Sequence, residues 1–300
     1  MRIVKPKFEE INIDNPLLHG EVCARVCYKS ENLIKEGSAK KLLEGIAAAG
    51  HTAMLEHIPV YIKMEGSTYY IDVQNNIIDF IGKSPYSKMD HTWIYPEGEE
   101  SDGKIVVFIS TNLRVVFEQY RELYDAFMDH NGEPFEFDDD SSYRSYKVNI
   151  CKYDEYPGWF KKRITIKFTM DRIGSQSFCR HRVFSFAQES TRWCNFMKDK
   201  FGNEISISAP CWLKPEDQAE FEEDMKISEQ LYFKWLNKGY KAEEARYFLP
   251  FGLNTEIIMT GFADAWEHFF SLRVDSHAHS QARELATPLY EYFKEKKYII

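Results

Sequence analysis

Arg180-His181-Arg182-Val183-Phe184-Ser185-Phe186-Ala187-Gln188-Glu189-Ser190-Thr191-Arg192 gathers three arginines, one histidine and several hydroxyl and amide groups into one short run. Arginine's planar fork donates two parallel, charge-assisted hydrogen bonds to a phosphate or another anionic or carbonyl-rich ligand. The chain as a whole carries a formal net charge of −9, so arginines clustered here read as a local basic pocket for an anion. The same negative charge argues against nucleic acid as a partner, because binding a phosphate backbone needs a basic face that releases counterions. Taken alone, the triplet also suits an exposed helix end, with Arg180 and Arg182 solvated and His181 packed. Feeding the run is Ile164-Thr165-Ile166-Lys167-Phe168-Thr169-Met170, whose period of two predicts a strand.

Working outward, Leu17 to about Ala49 is predicted to be helical. Val22, Val26, Leu33, Leu42, Leu43 and Ile46 fall on helical spacing, with a break near Lys29-Ser30-Glu31-Asn32 and a stop at Gly50. Ile58, Val60, Ile62 and Met64 then alternate with Pro59, Tyr61 and Lys63 as a half-buried strand, and the early proline marks an edge or a strand start. Ile81 to Lys104 reads as loop, Asn112 to Met128 as a hydrophobic helix, and Asp138-Asp139-Asp140 as a solvated loop. Pro215-Glu216-Asp217 opens a helix that runs to about Asn237, with Gly239 as its stop, since proline and acids suit a first turn. Ala242 to Leu249, Thr255 to Leu272 and His277 to Lys296 complete the helices. Many helices and few strands predict an α+β class, a helix-rich domain with a small antiparallel sheet.

With 300 residues, 44% of them hydrophobic and 15% aromatic, the chain can bury a sizeable core. Met1 to Lys7 holds no apolar core of signal-peptide length, and no stretch is apolar enough to span a bilayer, so a cytoplasmic protein with no membrane partner is expected. The cysteines, Cys23, Cys27, Cys151, Cys179, Cys194 and Cys211, form no C-x-x-C pairs and are expected to be free thiols. No Rossmann fingerprint or phosphate loop is present, so a dinucleotide would lie across several segments.

Arg180-His181-Arg182, seven residues, then Ser190 resembles the signature of the flavin-dependent thymidylate synthases, the ThyX family. Three further elements are similar to that family's, in the same order. They are Gly50-His51-Thr52-Ala53-Met54-Leu55-Glu56-His57, which looks like a flavin-contacting turn before a strand; Glu244-Ala245-Arg246-Tyr247-Phe248-Leu249-Pro250; and Phe269-Phe270-Ser271-Leu272-Arg273-Val274-Asp275-Ser276-His277-Ala278. The resemblance covers the first 65 residues and about residues 162 to 295. It implies one ThyX-like domain over residues 1–300 with an insertion at about 66–160. In place of the Asn-x-Arg that the family carries on its late helix, this chain has Phe262-Ala263-Asp264, and Asn112 and Arg114 of the insertion are expected to supply part of that flavin contact.

The resemblance implies reductive methylation of dUMP to dTMP, with 5,10-methylenetetrahydrofolate as carbon donor, FAD as cofactor and NADPH as reductant, in a homotetramer with shared sites. Arg273 matches the residue that polarises the uracil. Gln176, Ser177, Arg180, Gln188, Glu189, Ser190, Thr191, Arg192 and Arg246 match the dUMP contacts, together with Arg273. For FAD the candidates are His51, Ala53, Glu56, Asn112, Arg114, Arg180, His181, Arg182, Gln188 and His268, with Ala53 limited to backbone contact because it replaces a hydroxyl residue. No metal is implied. The sole Pro-Cys, Pro210-Cys211, lacks the surroundings of a cysteine-dependent synthase, and Cys211 is read as packing. Two competing readings are a zinc hydrolase using Asp275, His277 and His279, whose spacing does not suit a helical metal site, and a nucleotide-binding module or impaired relative without catalysis.

Overall fold

Eleven strands and nine α-helices are formed among the residues that the computed structural model describes, which are 1–67, 77–94, 104–137, 146–155 and 162–299. In chain order the strands are β1 (Arg2–Val4), β2 (Lys7–Glu10), β3 (Pro59–Ser67), β4 (Lys88–Ile94), β5 (Lys104–Asn112), β6 (Phe135–Phe137), β7 (Tyr146–Ile150), β8 (Arg163–Asp171), β9 (Ser185–Gln188), β10 (Ser206–Ser208) and β11 (Asn254–Phe262). The helices are α1 (Pro16–Val26), α2 (Ser38–Ala48), α3 (Leu113–Gln119), α4 (Arg121–Asp129), α5 (Arg172–Phe178), α6 (Gln218–Asn237), α7 (Ala242–Ala245), α8 (Ala263–Arg273) and α9 (Ser280–Glu295). The chain divides into two compact units, one of Met1–Ile11, Cys23–Leu33 and Ile164–Ile300, the other of Asn12–Val22 and Ile34–Arg163. No helix among the described residues is long and apolar enough to cross a membrane.

In the first unit the sheet order is β2-β8-β11-β9, with β2 antiparallel to β8 and β9 antiparallel to β11, while β1 pairs with β10 in parallel. Ile164, Ile166, Phe168 and Met170 from β8 pack with Trp266, Phe269 and Phe270 of α8 and with Leu285, Leu289 and Phe293 of α9. Close approach is needed at Gly261. A Cβ there would lie 2.5 Å from the Phe184 ring, so the absent side chain is what lets Phe184 reach Trp266, at 4.8 Å between ring centres. Helix α6 ends as predicted, with Gly239 at φ +92°, a left-handed conformation that glycine adopts without strain.

The second unit is built on an antiparallel sheet of order β4-β5-β3-β7-β6. One face of it, through Val60, Ile62, Met64, Val107 and Ile109, packs with Leu43, Leu55, Val116, Leu123 and Phe127.

The α+β class holds, but several local expectations are corrected. Thr255 to Phe262 is strand, not helix, because Ile257, Ile258 and Met259 are all fully buried in the sheet; a short apolar run carries no period that separates strand from helix. Strand β8 does not alternate, since eight of its nine residues are buried and only Lys167 is not. The Ile81–Lys104 loop contains strand β4, which pairs with β5. Asn112 to Met128 is two helices broken at Tyr120. Pro59 begins its strand, as expected, but β3 is central. It is tolerated there because a first residue can lack its ladder donor. The sheet content is also larger than one small antiparallel sheet. Asp138-Asp139-Asp140 lies outside the described residues.

Candidate active site

Strand β8 hands the chain to α5 through Asp171, whose Oδ1 accepts the Gly174 N–H at 2.5 Å and whose Oδ2 accepts from Gln281. This cap turns the backbone so that α5 presents Gln176 and Ser177. Ser177 Oγ donates to the Gly174 carbonyl at 2.6 Å, and Gln176 is exposed. The chain then turns through Cys179 to Phe184 into β9. Val183 sits in that turn at φ +63° and 46% exposed, an unfavourable backbone conformation for a β-branched residue. It tips the chain so that Arg182 stays exposed while Phe184 enters the core.

The turn brings His181 against the end of α8. Arg273, the last residue of that helix, donates from Nε to His181 Nε2 at 2.8 Å and from Nη2 to the Ser177 carbonyl at 2.9 Å. The packed-histidine part of the helix-end reading is therefore observed, with His181 only 5% exposed, but its ring is hydrogen-bonded to an arginine. Burial pulls the His181 pKa down to about 4, with Arg273 and His268 adding to the effect. Burial also lowers that of Arg273, and Arg180 nearby lowers it further. The His268 side chain is exposed, with its ring 6.0 Å from that of His181.

Arg180, Arg182 and Arg246 are exposed, and their side chains make no hydrogen bond or ion pair among the described residues. Arg192 meets Glu243 at 3.2 Å. Gln188 Nε2 donates to Ser175 Oγ at 2.9 Å. The Ser190 N–H donates to the Cys27 carbonyl at 3.0 Å, while the Ser190 and Thr191 hydroxyls have no partner among the described residues. Glu189 is different in kind. It is 7% exposed, and burial raises its pKa to about 7, with Glu256 adding to the rise and Lys29 and Arg172 opposing it.

Two residues here escaped the sequence reading. Arg172 donates to the Glu189 carbonyl oxygen at 2.7 Å, and Lys29 pairs with Glu256 at 2.5 Å. A signal existed for Lys29, which lies in the predicted helix break. Arg172 carried none, since an arginine after a strand is ordinary. Cys211, read as packing, is exposed in a turn; none of the six cysteines is in a disulfide. His277 Nδ1 lies 2.8 Å from Asp275 Oδ1, but no group of three or more metal-ligating side chains occurs among the described residues.

In the second unit His51 precedes a 3-10 turn, Thr52–His57, that leads into β3. His51 and Ala53 are exposed. Glu56 accepts from Arg114 Nη1 at 2.6 Å, and Arg114 Nε also donates to Glu118 at 2.7 Å. Asn112 is fully buried, and its Oδ1 caps α3 by accepting the Val115 N–H at 3.1 Å.

The fold and the first unit's side chains define an α+β protein with exposed, unpaired guanidinium groups on Arg180, Arg182 and Arg246, of a chemistry that suits an anion, and one oriented cation, Arg273. Residues 161–297 match the family model described as thymidylate synthase complementing protein. Among curated relatives, the chain is 32% identical over 126 residues to the flavin-dependent thymidylate synthase of Saccharolobus solfataricus, covering 42% of this chain and 47% of that one. It is 32% identical over 125 residues to that of Geobacter sulfurreducens, covering 42% and 53%, and 29% identical over 137 residues to that of Synechocystis, covering 41% and 62%. The chain thus spans about half the length of the curated relatives it matches. The likeness read from the motifs is borne out by the family match over residues 161–297; residues 50–57 lie outside the matched stretch.

Proposed function

We propose that this protein is a flavin-dependent thymidylate synthase, forming dTMP from dUMP with 5,10-methylenetetrahydrofolate, FAD and NADPH. The observation that carries the reading is the set of unpaired guanidinium groups on Arg180, Arg182 and Arg246, together with the anchored Arg273, inside the stretch that matches the family. These residues suit an anionic nucleotide. Gln176, Ser177, Gln188, Ser190, Thr191, Arg192 and Arg246 would hold phosphate and sugar. Glu189 would act through its carbonyl oxygen, since its carboxyl group is buried and its N–H donates to the Glu256 carbonyl at 2.9 Å.

Arg273 would face the uracil. A guanidinium held in place can stabilise the negative charge that builds on the ring carbonyls as carbon 5 becomes nucleophilic, and a preorganised donor needs no reorientation in the transition state. Activation by charge agrees with the state of the nearby thiols. Burial pushes Cys27 up to about 11 and Cys194 up to about 12, so neither offers a thiolate to the pyrimidine at neutral pH.

FAD, when bound, supplies the hydride transfer. Exposed Arg180 and Arg182 fit its anionic groups, with His181, His268 and Gln188 as further contacts in the first unit. For the second unit, contacts from His51, Ala53, Glu56, Asn112 and Arg114 are proposed on the motif and on the Glu56–Arg114 pair. The same proposal includes a ThyX-like fold over residues 1–300 with residues 66–160 as an insertion, a homotetramer, and a cytoplasmic location.

The test is the visible spectrum of the purified protein during titration with dUMP, paired with dTMP formation by wild type and Arg273→Ala. A flavin band that dUMP perturbs, and turnover that Arg273→Ala abolishes while flavin binding survives, are expected. A colourless preparation that does not take up FAD, or a covalent bond between Cys211 and the nucleotide, overturns the proposal.

A further inference from the structure

We infer that His181 serves the reaction through Arg273, as a positioning residue that orients the guanidinium without neutralising it. The inference rests on the reading that Arg273 faces the uracil.

An arginine at a helix end has four flexible side-chain torsions whose rotamer freedom is lost when the guanidinium is fixed. Here two hydrogen bonds in different directions, Nε to His181 Nε2 at 2.8 Å and Nη2 to the Ser177 carbonyl at 2.9 Å, hold the guanidinium plane. Of the group's five N–H bonds, three remain for a ligand. The ring that receives Nε is itself braced. Its centre lies 5.0 Å from Phe269, one helical turn before Arg273, and 6.3 Å from Phe184, edge-on.

Because Nε2 accepts from a guanidinium, it carries no proton, so the imidazole is the neutral tautomer with hydrogen on Nδ1. That neutrality is the chemical reason for histidine at this place. A carboxylate would orient Arg273 equally well but would cancel the charge needed to polarise a carbonyl. Arg114 shows the contrast, held by the two carboxylates of Glu56 and Glu118. A neutral acceptor orients the cation and leaves its field intact.

The experiment compares His181→Gln, His181→Glu and His181→Ala, alone and with Arg273→Lys, in the flavin-loaded enzyme. It reads kcat, KM for dUMP, FAD affinity and the 15N shifts of the labelled histidines. Glutamine keeps a neutral acceptor, so His181→Gln is expected to hold kcat within about tenfold of wild type. His181→Ala, which frees the guanidinium to shift by an ångström or so, is expected to lose about 100-fold. His181→Glu should lose as much as alanine, and His181→Ala should cost little more once Arg273→Lys is present. Arg273→Ala should move the His181 Nε2 shift of the full chain.

Equal losses in the glutamine and alanine variants, activity retained by glutamate, or losses that add fully to Arg273→Lys overturn the inference. So does a loss traced entirely to weaker FAD binding, which would leave His181 a flavin contact with no part in orienting Arg273. A wild type that binds FAD but forms no dTMP defeats the functional reading itself, and that result is visible before any variant is compared.

Discussion

Arg114 and Glu56, separated by 58 positions in the chain, meet at 2.6 Å as an ion pair. The carboxylate is the more buried partner, with 13% of its side chain exposed against 37% for the arginine. The pair ties α3 to the turn before β3, so the second unit's two groups of flavin candidates form one cluster. Asn112 has a different part in it, since its Oδ1 is committed to capping α3.

Arg114→Ala is therefore expected to lower FAD affinity by about tenfold, through an unsettled Glu56 as much as through any direct contact, and to lower stability by about 1 kcal/mol, a value suited to a partly exposed pair. Flavin fluorescence titration and urea unfolding measure the two effects. Unchanged FAD affinity would remove Arg114 and Asn112 from the flavin site.

Glu189 predicts a pH dependence of stability. Its pKa is raised from 4.5 to about 7, chiefly by burial, so the folded state holds the proton more tightly than the unfolded chain does. Folding then takes up a proton between those values, and stability falls as pH rises from about 4.5 to about 7, by up to about 3 kcal/mol at full ionisation. Glu189→Gln stays neutral and removes that slope. Urea midpoints at pH 5 and pH 8 should show the variant gaining on wild type as pH rises; parallel behaviour would mean that Glu189 is ionised throughout.

Val183 stores backbone strain beside the candidate site. A residue with a Cβ in the left-handed region costs about 1–2 kcal/mol, and at 46% exposure this side chain returns little through burial. Asparagine tolerates the same φ. Val183→Asn should raise stability by about 1 kcal/mol in urea unfolding, and a fall instead would show that the isopropyl group has a packing role that outweighs the strain.

Much of this protein could be read along the chain because the deciding interactions are local or motif-based. The helical spacing from Val22 to Ile46, the alternation of Ile58 to Met64, the proline start at Pro215 and the stop at Gly239 each depend on a few neighbouring residues. The spacing of Arg180-His181-Arg182 and Ser190 likewise carried the resemblance to the flavin-dependent thymidylate synthases, because a motif of fixed residue types at fixed spacing can be read without the fold. Tertiary structure decided the rest. Asn254 to Phe262 became a strand because sheet partners lie on both sides of it, and no period survives in a segment buried on both faces. The pairing of Arg273 with His181 spans 92 positions, and the burial that raises the Glu189 pKa comes from groups distant in sequence. Identity and spacing reveal which chemistry a chain can offer; which groups lose water, and which partner each one finds there, depends on contacts that exist only once it is folded.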